Sequence, residues 1–181
     1  MSSCTPAARV RRSDWTARSP VAASAAAREG ELVVTGGVAT DDRAWIERCL
    51  ERARALGVGE RVRLVGVLRD DELAALLARA AAAIVPSDSE GFALPALEAA
   101  ACGLPSVVAR GGAAEEAAGP GALPCDTDDA GEVARALERA LAYDAAERDA
   151  LRAFVRTRTW RRAAEGVEQV WRECLDAAVR P

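Results

Sequence analysis

The sequence contains no histidine and no lysine, so every one of its 24 basic residues is an arginine. Without imidazole, the chain cannot build a Ser-His-Asp triad, a Cys-His dyad or a histidine-ligated zinc site. Without lysine, it cannot form a Schiff base or use the lysine of a phosphate-binding P-loop. Any catalysis is therefore left to carboxylates, arginines, hydroxyls, thiols and backbone dipoles.

Cysteine pairs and long apolar runs are also missing. The five cysteines are widely spaced and contain no C-x-x-C, which indicates neither a disulfide framework nor a thiolate zinc site. The longest apolar run, Leu73 to Val85, is interrupted by Arg79 and is too short for a membrane span. We expect a cytoplasmic protein with no transmembrane segment; peripheral attachment at the inner membrane stays open as an alternative.

The length and the net charge of the chain exclude further classes of protein. The chain has 181 residues, of which 50% are hydrophobic and 29% charged, which predicts one globular domain. Its formal net charge of −4 provides no general basic field for nucleic acid. We therefore expect no nucleic-acid partner.

The first 28 residues differ from the rest because they are rich in serine, alanine and arginine. We interpret residues 1–28 as a poorly ordered or truncated lead-in, with a transit peptide as the alternative. Residues 29–181 alternate between short apolar runs and amphipathic stretches, which predicts strands followed by helices. The predicted strands are 32–35, 62–67, 83–85, 106–109 and 121–124; the predicted helices begin near 41, 70, 95, 115, 127, 144 and 160.

Continuous apolar strands between helices indicate an α/β fold with a doubly wound parallel sheet, covered by helices on both faces. In such sheets, ligands bind beyond the carboxyl ends of the strands. The loop that follows Val85 is therefore a candidate site.

Two carboxylates and a glycine stand in and after this loop. Glu90 and Gly91 precede a helix for which Pro95 is a natural first-turn residue, and Glu98 follows one turn later. The helix N-terminus offers a positive dipole end to an anion such as a diphosphate. Glu98 could accept from two ribose hydroxyls and Glu90 from a sugar hydroxyl. Alternatively, Glu90 is a solvated loop residue and Glu98 merely favours an early helical position.

The segment resembles a known family. Glu90-Gly91-Phe92 and Glu98, in a Glu-x7-Glu spacing, with Cys102-Gly103-Leu104-Pro105 behind them, are similar to the donor-binding half of retaining GT-B glycosyltransferases, glycosyltransferase family 4 (group 1). The resemblance runs from about residue 21 to 179 and includes Trp160, an aromatic near the start of the final helix. It implies a Rossmann-like domain, the C-terminal half of a GT-B fold, with C-terminal helices.

The resemblance also implies a reaction and residue roles. A nucleotide-activated sugar would be transferred to an acceptor hydroxyl with retention, with no bound metal and no cofactor beyond the donor. Glu90 would contact the donor sugar at the catalytic centre, and Glu98 would bind the ribose. Backbone donors to the sugar and diphosphate would come from Gly91, Phe92, Ala93 and Leu94, and the residues beside the base would be Val67 and Leu68.

Two parts of the family pattern are not found in the sequence. The acceptor-binding half is absent, and so is the first strand of the donor half with its Gly-Arg turn and following lysine. We therefore expect a fragment that self-associates or needs a partner domain. The alternative function is a truncated, non-catalytic nucleotide-sugar-binding or interaction module. A third possible function is that of a nucleotide-sugar epimerase.

Two other features have structural interpretations. We interpret Asp126-Thr127-Asp128 as helix caps rather than a metal site. We interpret Trp160 and Trp171 as packing residues of the last helix.

Overall fold

Six parallel strands form one sheet in the computed structural model, which describes residues 7–10, 30–36, 43–87 and 90–179. The strand order is β3-β2-β1-β4-β5-β6, and every neighbouring pair is parallel. The strands are β1 Ala7–Val10, β2 Glu31–Thr35, β3 Val62–Gly66, β4 Ala80–Val85, β5 Ser106–Ala109 and β6 Ala122–Cys125. The predicted parallel sheet is confirmed, and five of its strands lie where the sequence placed them, within three residues at each end.

Helices connect the strands from β2 to β6 and continue after β6. Those of the described residues are α1 Arg43–Ala55, α2 Asp70–Arg79, α3 Leu94–Ala101, α4 Ala113–Ala118, α5 Ala130–Leu141, α6 Ala145–Arg156 and α7 Trp160–Val179, with short 3-10 turns at Gly59–Arg61 and Gly119–Gly121. Each predicted helix is present. Trp160 and Trp171 of α7 are 92% and 70% exposed, so the expectation that they pack the last helix is wrong for the described residues.

The strand β1 corrects the interpretation of the N-terminal region. Residues 1–28 were expected to be a lead-in without a strand, but Ala7–Val10 lies in the middle of the sheet. Val10 is paired with Val34 on one side and Ile84 on the other. The strand that the sequence analysis did not find is therefore part of this chain, and β2 is paired on both sides, with β1 and β3. The rest of the expected lead-in lies outside the described residues.

The sheet buries both of its faces. Successive side chains of a strand point to opposite faces, so Ile84 packs in a cluster with residues of α1 and α5, namely Ala53, Val133 and Leu137. Its neighbours Ala83 and Val85 pack with the helices of the other face, in clusters that include Leu77, Ala99 and Ala114. Helices thus cover both faces, which confirms the doubly wound α/β fold.

Helix α6 is hydrogen-bonded to the backbone at the C-terminal end of α3. The guanidinium of Arg148 donates to the carbonyl oxygens of Ala81 (3.1 Å) and Gly103 (3.3 Å). At the end of α3, the N–H groups of Gly103 and Leu104 donate to the carbonyls of Ala100 and Ala99, both at 2.9 Å, with Gly103 at φ +75°. This is a Schellman ending, and it confirms Gly103 as the residue that stops the helix.

Candidate functional site

The strand order places a crevice beside β1. The chain proceeds from β1 to β2 and β3 on one side, then crosses to β4 on the other side of β1. The carboxyl ends of β1 and β4 thus meet at the point where the winding reverses, which is where open α/β sheets bind their ligands. The loop after β4 and the start of α3 lie at this point, as the sequence predicted.

The loop after Val85 begins buried and becomes accessible. Pro86 and Ser87 are buried, while Glu90 is half-buried and Gly91 and Phe92 are exposed. Among the described residues, a Cβ added to Gly91 would meet no atom within 4 Å. The described part of the fold therefore does not require glycine at position 91, and the space beside it is open.

Ala93 holds an unusual backbone conformation between this loop and α3. Its φ is 55° and its ψ 49°, the left-handed region, and its side chain is buried. A non-glycine residue in this region costs about 1–2 kcal/mol, and such conformations cluster at ligand-binding and active sites. Nothing in the sequence signals this feature, because alanine is not one of the residues enriched there.

Helix α3 begins at the crevice and has one accessible face. Its N-cap residue, Ala93, provides no side-chain cap, and Pro95 lies in the first turn, as predicted. Leu94, Glu98 and Ala101 follow at i, i+4 and i+7, and they are the more accessible side of a helix whose opposite side is buried. Glu98 therefore lies on the accessible face, one turn inside the helix.

The residues predicted beside the base lie at the same edge but farther along it. Val67 and Leu68 follow β3, and Val67 is exposed. Three strand intervals separate β3 from β4, which is about 14 Å at roughly 4.8 Å per strand. The predicted site residues thus form two groups, with Glu90 to Glu98 after β4 and Val67 and Leu68 after β3.

Two arginines of this edge are already paired with carboxylates. Arg69 lies 3.0 Å from Asp71, and Arg110 lies 2.7 Å from Glu132. The Glu132 carboxylate also accepts from the Asp126 N–H at 2.8 Å. Arg110 therefore joins the end of β5 to α5, and Glu132 also joins the loop after β6 to α5.

The Asp126-Thr127-Asp128 segment precedes α5 without capping it, so its interpretation as helix caps is wrong: the cap is the next residue, Asp129. The Asp126 carboxylate accepts from the Asp128 N–H at 2.9 Å, and Asp129 caps α5 by accepting from the N–H groups of Gly131 and Glu132. Among the described residues, no group of three or more acidic, cysteine or histidine side chains is arranged to hold a metal ion. Across the same residues, no helix is both long and apolar enough to cross a membrane.

Comparison with known proteins decides the family. The family model of the glycosyl transferases group 1 matches residues 10–143. The chain belongs to the group 1 glycosyltransferases. Two curated relatives are a D-inositol 3-phosphate glycosyltransferase of Acidothermus cellulolyticus, 35% identical over 150 residues, and a glycogen synthase of Mycobacterium tuberculosis, 38% identical over 128 residues. These alignments cover 80% and 67% of this glycosyltransferase chain.

Solved structures share the fold. The sucrose-phosphate synthase of Thermosynechococcus elongatus superposes with a TM-score of 0.72 at 26% identity, over 98% of this chain and 47% of that one. Anabaena HepE, solved with UDP and glucose, superposes with a TM-score of 0.70 at 18% identity, over 91% of this chain and 48% of that one. These neighbours are GT-B glycosyltransferases, which confirms the predicted fold family.

The glycosyltransferase chain is short beside its relatives. It spans 33% of the Acidothermus protein and 31% of the glycogen synthase. The family match begins at residue 10, the last residue of β1.

Proposed function

We propose that this chain is the donor-binding, C-terminal half of a GT-B glycosyltransferase and binds a nucleotide sugar at the carboxyl ends of β1 and β4. The observation that carries the proposal is the position of Glu90 and Glu98. They lie on either side of the N-terminus of α3, at the reversal of the sheet order. Family membership supplies the chemistry, which is sugar transfer from a nucleotide-activated donor to an acceptor hydroxyl.

Each part of the donor has a group that suits it. Glu98, on the accessible face of α3, accepts the two ribose hydroxyls, and Glu90 contacts the sugar at the catalytic centre. The N-terminus of α3, whose N-cap residue Ala93 provides no side-chain cap, faces the diphosphate with its positive dipole end. Gly91, Phe92, Ala93 and Leu94 provide backbone donors, while exposed Val67 with Leu68 flanks the base.

The diphosphate leaving group requires positive charge, and the chain contains arginine but no lysine. We propose that arginine and the dipole at the N-terminus of α3 neutralise the leaving group, without a bound metal, in a reaction that retains the anomeric configuration.

A second function has support in the length of the chain. Retaining transfer requires an acceptor hydroxyl held beside the anomeric carbon, and positioning contributes about 7–11 kcal/mol to such reactions. The chain spans about a third to a half of its relatives, so binding of the donor without transfer is the alternative for this chain alone. We also propose a cytoplasmic location, where nucleotide sugars and reduced cysteines are expected together.

Calorimetric titration with UDP, GDP and ADP tests the binding site. A hydrogen bond to a charged acceptor contributes about 1.5–3 kcal/mol, so Glu98→Gln should weaken binding of the preferred nucleotide by about tenfold or more. Glu51→Gln is the matched control, an exposed helical glutamate on α1. Equal affinities for the wild type and Glu98→Gln would remove Glu98 from the site.

The Gly91→Val variant tests whether a ligand lies against the loop at Gly91, by adding bulk there without changing the charge. Because a Cβ there would meet no atom of the described residues within 4 Å, the variant should keep its unfolding midpoint and lose nucleotide affinity. An unchanged affinity would mean that no ligand approaches Gly91.

Incubating the chain with a nucleotide sugar and an acceptor distinguishes the two functions. Transfer of the sugar supports the enzyme, and binding of the donor without transfer supports the binding module.

A further inference from the structure

Arg148 of α6 is hydrogen-bonded to both of the elements that position Glu90 and Glu98. Its guanidinium donates to the carbonyl oxygen of Ala81 at 3.1 Å and to that of Gly103 at 3.3 Å. Ala81 lies near the start of β4, the strand that leads to Glu90, and Gly103 follows α3, the helix that carries Glu98. One side chain therefore joins the start of the strand to the end of the helix.

The strand β4 and the helix α3 are joined covalently only by the loop at the candidate site. β4 has six residues and α3 has eight, so they are about 20 Å and about 12 Å long. Both elements are stiff along their axes. A shift of α3 along β4 at the Arg148 end would therefore displace Glu98 relative to Glu90 by a similar distance.

The packing of α3 on the sheet offers little resistance to such a shift. Its buried residues are all small, namely Pro95, Ala96, Ala99 and Ala100. A packed helix is held in position where ridges of side chains fit into grooves, and alanine forms only a low ridge. Hydrogen bonds at the end of α3 therefore contribute more to fixing its position.

Arg152 supports the same end of α3. Arg148 and Arg152 are four residues apart, so they lie on one face of α6. The guanidinium of Arg152 donates to the carbonyl oxygen of Cys102 at 3.2 Å, and the Cys102 N–H donates to the carbonyl oxygen of Glu98 at 3.3 Å. Arg152 thus holds the end of α3, whereas Arg148 holds α3 and β4 together.

We infer that Arg148 is a positioning residue of the donor site and sets the separation of Glu90 and Glu98. The inference rests on the proposed function, in which Glu98 binds the ribose and Glu90 the sugar of one donor. A nucleotide sugar that spans both carboxylates requires one fixed spacing between them. A nucleoside diphosphate requires only Glu98, so the loss of Arg148 should weaken binding of the complete donor more.

Calorimetric titration with matched ligand pairs tests this role. The pairs are UDP with UDP-glucose, GDP with GDP-glucose and ADP with ADP-glucose, and the pair that the wild type binds best is used. Arg148→Met should raise the ratio of the donor Kd to the nucleoside diphosphate Kd by about threefold or more, as expected for groups coupled through one hydrogen-bond network. Arg148→Lys should give an intermediate ratio, because an ammonium lacks the planar fork of donors of the guanidinium.

Two controls separate positioning from a general loss of stability. Arg156→Met removes an exposed arginine from the same helix and should leave the ratio unchanged. Val133→Ala removes buried methyl groups from α5, on the opposite face of the sheet from α3. It should lower the unfolding midpoint, as Arg148→Met should, without changing the ratio. All titrations are made well below the unfolding midpoints, and Arg148→Lys carries the test if Arg148→Met does not fold.

A double-mutant cycle with Glu90→Gln tests whether Arg148 acts through Glu90. Glu90→Gln should weaken donor binding by a smaller factor in the Arg148→Met background than in the wild type, because Glu90 is already displaced there. Equal factors in the two backgrounds, or a ratio that Arg148→Met leaves unchanged, would overturn the inference and leave the proposed function standing. A wild type that binds neither member of any pair would overturn the proposed function and the inference with it.

Discussion

Arg152 occupies the space in which a side chain at Gly103 would stand. A Cβ on Gly103 would lie 2.6 Å from the guanidinium carbon of Arg152. That guanidinium donates to the carbonyl oxygen of Cys102 at 3.2 Å. Helix α6 therefore contacts the end of α3 through backbone that only glycine leaves accessible, and this contact holds the helix that carries Glu98.

We expect Gly103→Ala to destabilise the domain for two reasons. Gly103 has φ +75°, where a non-glycine residue costs about 1–2 kcal/mol. The added Cβ would also displace Arg152 from its hydrogen bond, at about 1 kcal/mol. Gly111→Ala is the control, because Gly111 also has φ +75° but a Cβ there would meet nothing. Urea unfolding should show a larger loss for Gly103→Ala; equal losses would mean that Arg152 moves aside at no cost.

Two buried hydroxyls have no hydrogen-bond partner among the described residues, Ser106 Oγ and Thr127 Oγ1. An unsatisfied buried polar atom costs about 1–3 kcal/mol. Thr127→Val and Ser106→Ala should therefore leave the free energy of unfolding unchanged or increase it. Thr157→Val should decrease it, because the Thr157 hydroxyl donates to the Phe154 carbonyl at 2.8 Å. A clear loss for Thr127→Val would indicate that a bound water satisfies its hydroxyl.

The Asp129 cap should make stability depend on pH at the acid end. Bonds from the N–H groups of Glu132 and Gly131 lower the pKa of Asp129 below its ordinary value of 3.8. The unfolded chain then binds the proton more readily, so the stabilisation is present above the unfolded pKa and is lost as pH falls through the folded one. Asp129→Asn should keep the cap and show a shallower loss of stability below about pH 4. Asp128→Asn, a charge change in the same loop, is the control, and parallel acid curves for all three proteins would contradict this role.

The thiols of Cys49 and Cys174 should react at very different rates. Burial raises the pKa of Cys49 from 9.0 to about 11, against a smaller opposing effect of Arg48. At pH 8 only about one Cys49 thiol in a thousand is then the reactive thiolate. In dilute protein, iodoacetamide should label exposed Cys174 first, and labelling of Cys49 should keep accelerating towards about pH 11. Mass spectrometry measures both, and equal rates at pH 8 would contradict the burial of Cys49.

Local sequence signals were sufficient for most elements of the sheet and its helices. Leu32–Thr35 and Ser106–Ala109 are short apolar runs bounded by breakers, so their bounds could be read directly. Gly103 and Pro95 marked the two ends of α3 for backbone reasons that hold in any context. The same signals placed Glu90 and Glu98 at the carboxyl end of a parallel strand.

The sequence did not identify β1. Ala7–Val10 is four residues long, contains Arg9 and lacks an apolar run, so it carries no pattern of its own. It becomes a strand because β2 and β4 pair with it from both sides, and such pairing depends on residues far away in the chain. Glycine could be expected at left-handed positions, but Ala93 could not, because its conformation is imposed by the loop and helix around it.

The sequence by itself determined the alternation of strands and helices, their faces, the Glu-x7-Glu signature and thereby the family. These follow from side-chain periodicity and backbone preferences, which act within a few residues. The tertiary structure alone decided the position of β1, the left-handed turn at Ala93, the pairing of Arg110 with Glu132 and the exposure of Trp160 and Trp171 on α7. Each of these features depends on contacts between segments that are distant in the sequence. The residues next to them in the chain do not specify those contacts.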